Sequence, residues 1–252
     1  MHLFQGSNEF VNRFLLPYIL RKYGQSDIGG AFIADTIMNL NRTENSQEIP
    51  DDWYKTDPYT TKKIEQNAKR GDFLSIYQRR QPDAQLVSTF SKYWNYLQSD
   101  KGEKDQFKLR PFRLDLNKAT PSIEDLSQML PFVRSDHSRF WIVNETDYTS
   151  FPAILLTDTG PSRGKMQECY HSACDSVKSP YEAEFANMEF YTQIVQALLN
   201  TVIEMSKSQC LRSEDLLGFY SEVDENTSTS KGSFLGGSLL SLTDFIRQYM
   251  PW

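Results

Sequence analysis

The stretch FPAILLTDTGPSRGKMQECYHSACDS, residues 151–176, gives the strongest indication of the fold. Its apolar run 152–156 is bounded by turn-forming residues, a pattern typical of a buried strand. The sequence Thr-Asp-Thr-Gly-Pro at 157–161 predicts the end of that strand and the start of a loop. This loop carries His171, which follows Tyr170 and lies between two cysteines. Because α/β proteins place ligand-handling groups on loops just past buried strands, the loop is a candidate functional region.

A second apolar run, GGAFIADTIM at 29–38, also predicts a buried strand. Its one charged residue, Asp35, lies near the end of the run. A buried carboxylate needs a charged partner, a metal or a network of hydrogen bonds. The spacing fits an aspartate that caps a helix or anchors a loop equally well. Asp35 is therefore a candidate ligand with a structural alternative.

Helical periodicity predicts amphipathic helices around these strands. Regularly spaced apolar residues predict a long helix over about 183–207, which we expect to pack on the sheet. The aromatic stripe within 86–97 predicts another helix, whose ring-bearing face belongs in the core. Residues 107–116 alternate as a strand does, and Thr120-Pro121 predicts the start of a short helix.

Composition excludes several classes of protein. The 252 residues contain 24% charged and 39% hydrophobic residues, which is typical of a globular chain. The formal net charge of −6 provides no basic surface for nucleic acid, so we expect no nucleic-acid partner. No apolar run reaches membrane-spanning length. The length suits one large domain or two small ones. We expect residues 1–207 to be part of one domain, followed by a tail at 208–252 with an acidic, Ser/Thr-rich linker and a possible short helix.

Five segments occur in an order that resembles the downstream part of a zinc exopeptidase domain. They are LFQGSNEFV (3–11), IGGAFIADTIMN (28–39), SDH (135–137), FPAILLTDTG (151–160) and CYHSACDS (169–176). The chain is similar in these segments to metallopeptidase family twenty-eight, which contains aminopeptidases, carboxypeptidases and glutaminyl cyclases. The resemblance implies an α/β fold, a three-layer α/β/α sandwich on a mixed, mainly parallel sheet, incomplete at its N-terminus.

The same resemblance implies a site for two zinc ions with five protein ligands. Asp35 and His171 match the last two ligands of the family pattern, and Tyr170 matches a phenol that steadies the developing oxyanion in some members. Carboxylate and imidazole groups suit zinc, and a metal pair can hold hydroxide while it polarises the scissile carbonyl. The implied activity is aminopeptidase-type hydrolysis, with the N-termini of peptides or proteins as substrate.

The sequence departs from the family pattern at the other ligands. The family's first histidine, bridging aspartate and Glu-Glu pair would fall upstream of Met1, and the only other histidines here are His2 and His137. Two ligands are fewer than the three or four of a zinc site, so we expect this chain alone to be inactive and to bind zinc weakly. We interpret it as the downstream part of a zinc exopeptidase. The alternatives are a non-catalytic binding or scaffold module on the same fold and, less favoured, a glutaminyl cyclase-like acyltransferase.

Other polar residues have weaker support. Asp136 and His137 of the SDH triplet are expected near the active-site cleft, as supporting or substrate-wall residues, and a helix N-cap explains them equally well. Asp175 could orient His171 or cap the following turn. Asp158 and Glu168 match no motif, and we expect both in solvent.

Cys169 and Cys174 predict a disulfide. Four residues separate them on a loop of small and polar side chains, so their Cα atoms can come within bridging distance. A soft metal site is the alternative, although the paired CxxC spacing that structural zinc prefers is missing. A bridge would hold the His171 loop in shape and imply an oxidising compartment. Together with Asn-x-Ser/Thr sequons at Asn41, Asn144 and Asn226, it predicts an extracellular or secretory-lumen location.

Overall fold

The computed structural model describes residues 5–20, 28–102, 105–116, 120–142, 150–175 and 187–206. They all belong to the first of two units of the chain, which ends at Ser208. The predicted tail at 208–252 and the sequons at Asn144 and Asn226 lie outside the described residues.

Strands and helices alternate along much of the described chain. The strands are β1 (Ala31–Ala34), β2 (Phe73–Arg79), β3 (Lys108–Leu114) and β4 (Ala153–Thr157). The helices are α1 (Gln5–Glu9, continued by a π-helix at Phe10–Leu20), α2 (Asp51–Thr56), α3 (Pro58–Gln66), α4 (Ala84–Tyr96), α5 (Ile123–Ser127), α6 (Leu130–Val133), α7 (His137–Trp141), α8 (Met166–Cys169) and α9 (Met188–Met205). A single 3-10 turn, Gly160–Ser162, follows β4. In the described part, no helix has the length and apolar character needed to span a bilayer.

The four strands form one mixed sheet in the order β1-β4-β2-β3. β1 pairs parallel with β4, β2 pairs parallel with β3, and β2 joins the two pairs through an antiparallel contact with β4. The predicted mixed, mainly parallel sheet is therefore confirmed. Because of this topology, the carboxyl ends of β1 and β4 lie at the same end of the sheet as the amino ends of β2 and β3.

Side-chain alternation along the strands gives the sheet two buried faces. In β4, Ala153 and Leu155 join one core cluster, while Ile154 and Leu156 join the other. The first cluster includes side chains from the helices on one face: Trp53, Ile64, Phe132 and Trp141. The second includes side chains from α4 and α9 on the other face: Leu86, Phe90, Trp94, Phe190 and Ile194. Helices thus cover both faces of the sheet, which gives the predicted α/β/α layers.

Local signals explain where several helices begin. The Asp57 side chain accepts a hydrogen bond from the Thr60 amide at 3.0 Å, so it caps α3 ahead of Pro58. α5 begins after Ser122, whose side chain forms a capping box with Asp125. The start predicted at Thr120 was therefore two residues too early, because the reciprocal Ser122–Asp125 pair stabilises the later one.

Candidate functional site

The carboxyl ends of β1 and β4 form one continuous structure, called here the β1–β4 edge and comprising Asp35, Thr36 and 157–160. The Asp35 amide donates to the Leu156 carbonyl at 3.1 Å, which continues the pairing beyond β1. The hydroxyl oxygens of Thr36 and Thr157 lie 2.8 Å apart, in hydrogen-bond contact. The two segments therefore stay joined after their strands end.

Asp158 is the buried carboxylate of this edge, with 2% of its surface exposed. It accepts hydrogen bonds from the amides of Asn39 at 2.8 Å and Gly160 at 2.9 Å. Burial raises its pKa to about 6, although the Arg163 charge and the two amides act in the opposite direction. The expectation that Asp158 is in solvent was wrong, because the segment around Asn39 covers it. Asp35, which the run 29–38 suggested as a buried carboxylate, is exposed.

Arg163 is a buried cation next to the edge, and it binds the chain around Gln47 and Asn39. Its Nε donates to Gln47 Oε1 at 3.0 Å and its Nη1 to the Asn39 carbonyl at 2.8 Å. The guanidinium lies 4.5 Å from the centre of the Phe73 ring. A Cβ at Gly71 would come within 2.7 Å of the Arg163 side chain, so this close approach requires glycine. Burial lowers the pKa of Arg163 to about 10, while the Asp158 charge opposes that change.

Three of the six described non-glycine residues with positive φ lie at the edge or in the loop that follows it, and the other three are Asn45, Ala68 and Lys69. Thr36, Thr159 and His171 have φ angles of 51°, 76° and 58°, in the left-handed region. For a β-branched residue this conformation is a genuine outlier. Such residues cost on the order of 1–3 kcal/mol each and cluster at functional sites. The Thr-Asp-Thr-Gly sequence was the available signal for this part of the site, but it was interpreted only as a strand end.

Tyr170 brings the His171 loop to the edge. A Cβ placed on Gly160 would lie 3.4 Å from Tyr170 Cε2 and 3.5 Å from Thr36 Oγ1, so both side chains pack around that glycine. Burial raises the pKa of Tyr170, and the negative charges of Asp35, Asp175 and Asp158 raise it further. The phenol therefore lies in a negative potential created by three carboxylates.

The His171 imidazole stacks on the Tyr170 ring, with 3.9 Å between ring centres and 17° between planes. His171 itself is exposed. Its amide donates to Asp175 Oδ2 at 3.2 Å, so Asp175 caps the turn. The sulfur atoms of Cys169 and Cys174 lie 2.12 Å apart, at disulfide distance, which confirms the predicted pair.

The SDH triplet spans two environments. Ser135 Oγ lies 3.4 Å from Asp35 Oδ2, and Asp136 is exposed at the start of α7, where its side chain makes no capping bond. His137 is fully buried, with its ring edge-on to Trp141 at 4.7 Å. Burial lowers the pKa of His137 to about 3, and the Arg79 charge acts in the same direction. Ser135 therefore approaches the β1–β4 edge, whereas His137 lies in the core.

The described residues do not by themselves fit the two-zinc site that the resemblance implied. Within the ranges given above, no three His, Cys, Asp or Glu side chains converge as a metal site. Asp35 and His171 stay candidate ligands, but a zinc site uses three or four protein or water donors in a closed geometry. We therefore derive no catalytic step through a metal from this structure.

Comparisons of the chain with known protein families, with curated proteins and with solved structures found no match.

Proposed function

We propose that the β1–β4 edge binds the amino terminus of a peptide, as the binding part of a zinc exopeptidase-type domain whose hydrolysis of N-terminal peptide bonds needs metal ligands beyond those of the described residues. The observation that carries this proposal is the packing of Tyr170 against Gly160 and Thr36. It holds the loop with His171 at the carboxyl ends of β1 and β4, where α/β folds bind ligands. Asp35 emerges from β1 at the same edge.

The electrostatics of the edge suit such a ligand. Carboxylates that act on the Tyr170 phenol would also attract the α-ammonium group of a peptide. A tyrosine hydroxyl keeps its proton at neutral pH, and the raised pKa of Tyr170 favours that form further, so the phenol remains a hydrogen-bond donor. A donor at this position can bind a peptide carbonyl oxygen and stabilise negative charge that develops on it.

A non-catalytic binding module on the same fold is the second candidate. One observation favours it, namely that no third metal donor joins Asp35 and His171 among the described residues. Both candidates require peptide binding at the edge, and they differ in whether hydrolysis follows. For either one we propose an oxidising compartment, extracellular or within the secretory lumen, which the Cys169–Cys174 pair supports.

Binding is tested by NMR titration with a tripeptide that has a free amino terminus and with its N-acetylated form. We expect the free peptide to shift the amide signals of Thr36, Gly160 and Tyr170. Asp35→Asn should weaken binding about threefold to fivefold, the effect of losing one exposed ion pair. Glu168→Gln removes an exposed carboxylate from neighbouring α8 and should leave the affinity unchanged. Equal binding of the acetylated peptide would contradict the proposal.

Hydrolysis is tested separately with amino-acid arylamides. We expect no zinc-dependent turnover by this chain, because the described residues supply two ligand-type side chains where zinc needs more. Turnover that a chelator removes, zinc restores and His171→Ala abolishes would show that the chain holds a complete site. Such a result would contradict the expectation that this chain has too few zinc ligands. It would not affect the proposal that the β1–β4 edge binds peptides.

A further inference from the structure

A cleft of about 560 Å³ lies beside β3, where that strand meets the junction of α2 and α3. Among the described strands, β3 is the outermost on the side of the sheet opposite β1. The cleft is therefore separate from the β1–β4 edge. Its charged lining consists of four cations and one carboxylate: Lys63, Arg80, Arg110, Arg113 and Asp57.

The positive charge of this lining is only partly offset, by Asp57 and by Asp72, whose charge acts on Arg110. Asp57 is buried, and its oxygens already accept hydrogen bonds from the Thr60 amide, the Thr60 hydroxyl and the Arg113 amide at 2.9–3.0 Å. Among the described residues, no carboxylate lies within 4.0 Å of the charged nitrogens of the four cations. Four positive charges against one negative charge leave three in excess, in a chain whose net charge is −6.

Arg110 has a donor without an acceptor. Its Nη1 donates to the Leu109 carbonyl at 3.2 Å, but its Nε is buried and has no hydrogen-bond partner in the described structure. A buried N–H of this kind costs free energy until an acceptor is supplied. Because this Nε has almost no accessible surface, a bound anion would have to contact the other nitrogens of the Arg110 guanidinium.

The cations of the lining also act on the neighbouring Tyr59. Its phenol pKa is lowered, first by a hydrogen bond with Lys63 and then by the charges of Lys63 and Arg113. A second cleft, of about 470 Å³, provides a contrast. There Lys101 forms an ion pair with Glu189 at 2.7 Å, so positive charge is paired within the lining.

We propose that the cleft beside β3 binds a small, soluble phosphorylated ligand that carries at least two negative charges. Guanidinium groups bind phosphate oxygens through two parallel hydrogen bonds, and the lining offers three such groups, on Arg80, Arg110 and Arg113. Lys63 adds an ammonium group beside the exposed ring of Tyr59, which lies 4.4 Å away. The site does not depend on the peptide-binding function proposed for the β1–β4 edge.

Isothermal titration with inorganic pyrophosphate at physiological ionic strength tests the proposal. Arg110→Gln should raise Kd about tenfold, and Arg113→Gln and Lys63→Gln should each raise it about threefold. Lys62→Gln is the matched control, because Lys62 is the exposed neighbour on α3 and does not line the cleft. It should leave Kd within error of the original protein. Thermal melts check folding, and Arg113 and Lys63 are exposed, so their substitution should not disturb the core.

Three results would overturn the proposal. Equal effects of Lys62→Gln and Lys63→Gln would show diffuse attraction to a charged surface and no defined site. Equal affinity for citrate and pyrophosphate would remove the assignment to phosphate. Sedimentation with phosphatidylglycerol vesicles, without binding of pyrophosphate, would mean that the ligand is a lipid surface.

Discussion

The two ends of β4 contain the same components, a buried arginine and a buried aspartate, in different arrangements. At the amino end, Arg79 Nη2 and Asp83 Oδ1 form a fully buried ion pair at 2.7 Å. The Asp83 carboxylate also accepts hydrogen bonds from the backbone amides of Arg79 at 2.7 Å and Ala153 at 3.0 Å. Arg79 lies over the Trp141 ring and donates to the Phe151 carbonyl. The charged groups at this end therefore bind each other and the backbone, and together they form one connected hydrogen-bond network.

At the carboxyl end the two charges bind different groups. Asp158 accepts hydrogen bonds from two backbone amides, while Arg163 donates to Gln47 and to the Asn39 carbonyl. Within the described part of the chain, the buried Nη2 of Arg163 has no hydrogen-bond partner. The pKa of Asp158 is raised to about 6, and strained backbone surrounds it. Closed networks stabilise a fold, whereas perturbed acids and strained backbone accumulate where a protein binds or reacts. The amino end also holds a group with a strongly shifted pKa, His137 beside Trp141, but that ring lies in the core, whereas Asp158 lies next to the exposed Asp35 and to the loop of His171. We therefore infer a structural role for the first end and a binding role for the second.

Asp83→Ala should cause the largest loss. It leaves the Arg79 charge buried without its partner and removes the acceptor of two amides, so we expect the free energy of unfolding to fall by about 3–5 kcal/mol. Urea denaturation at pH 7 measures it. Glu204→Ala, which breaks the exposed Lys92–Glu204 pair, is the control and should cost far less, because solvent and salt screen an exposed pair. If both substitutions cost the same, the amino end of β4 does not depend on its ion pair.

The two ends should respond to pH with opposite signs. The folded-state pKa of His137 is about 3, below the ordinary 6.5, so its contribution to stability is present at neutral pH and lost as the pH falls from 6.5 toward 3. The folded-state pKa of Asp158 is about 6, above the ordinary 3.8, so its contribution is present below pH 3.8 and lost as the pH rises through 6. Between pH 4 and 6 the two effects oppose each other.

Substitutions separate these effects. Asp158→Asn should remove a contribution on the order of 3 kcal/mol that opposes acid unfolding, so stability should fall more steeply between pH 6 and 4. His137→Phe should make the same part of the profile shallower or reverse its sign. Urea midpoints at half-unit pH steps measure both slopes. An unchanged slope in Asp158→Asn would show that this carboxyl has an ordinary pKa and would weaken the contrast between the two ends.

Replacing both Cys169 and Cys174 with serine should loosen the carboxyl end locally. Closing so short a loop accounts for about 2 kcal/mol at most, and the amino end of β4 is not connected to it. We expect faster hydrogen exchange at the amides of Tyr170 and His171, with β4 unchanged, and weaker peptide binding. Faster exchange throughout β4 would mean that the loop and the sheet unfold as one unit.

His171→Gly should have the smallest effect, of opposite sign. Glycine adopts the φ of 58° without strain, so stability should rise by up to about 1 kcal/mol while the candidate ligand is lost. Asn45→Gly is the control, because Asn45 is exposed with the same φ of 58° and asparagine tolerates that conformation. A gain at Asn45 as large as at His171 would show that no special strain is stored in the loop.

The sequence predicted the elements whose signals are local. β4 begins at Ala153, one residue into the predicted run 152–156, and the predicted aromatic stripe of α4 is buried at Phe90 and Trp94. β2 was not predicted, although it is fully buried and joins the two parallel pairs. Its sequence FLSIYQR ends in polar residues, and Arg79 is buried only because Asp83 and the distant Phe151 carbonyl accept its hydrogen bonds.

In the candidate site, too, features set by neighbouring residues could be predicted and features set by distant residues could not. The pair Cys169–Cys174 could be predicted, because its partners are neighbours in the sequence. The burial of Asp158 could not, since the Asn39 amide that holds it is 119 residues away along the chain. Long-range contacts decide which carboxylate is buried, and sequence patterns alone assigned that position to Asp35.

The bonds of Asp57 have a further consequence for the outer side of the sheet. The same carboxylate that caps α3 accepts the outward amide of Arg113, and the Thr60 hydroxyl binds the Pro111 carbonyl at 3.0 Å. Pro111 itself has no amide hydrogen to offer. An incoming strand from another molecule would find these positions of β3 already taken. Asp57 and Thr60 thereby act against fibril growth on this side, because they block the edge-to-edge pairing that exposed strands invite.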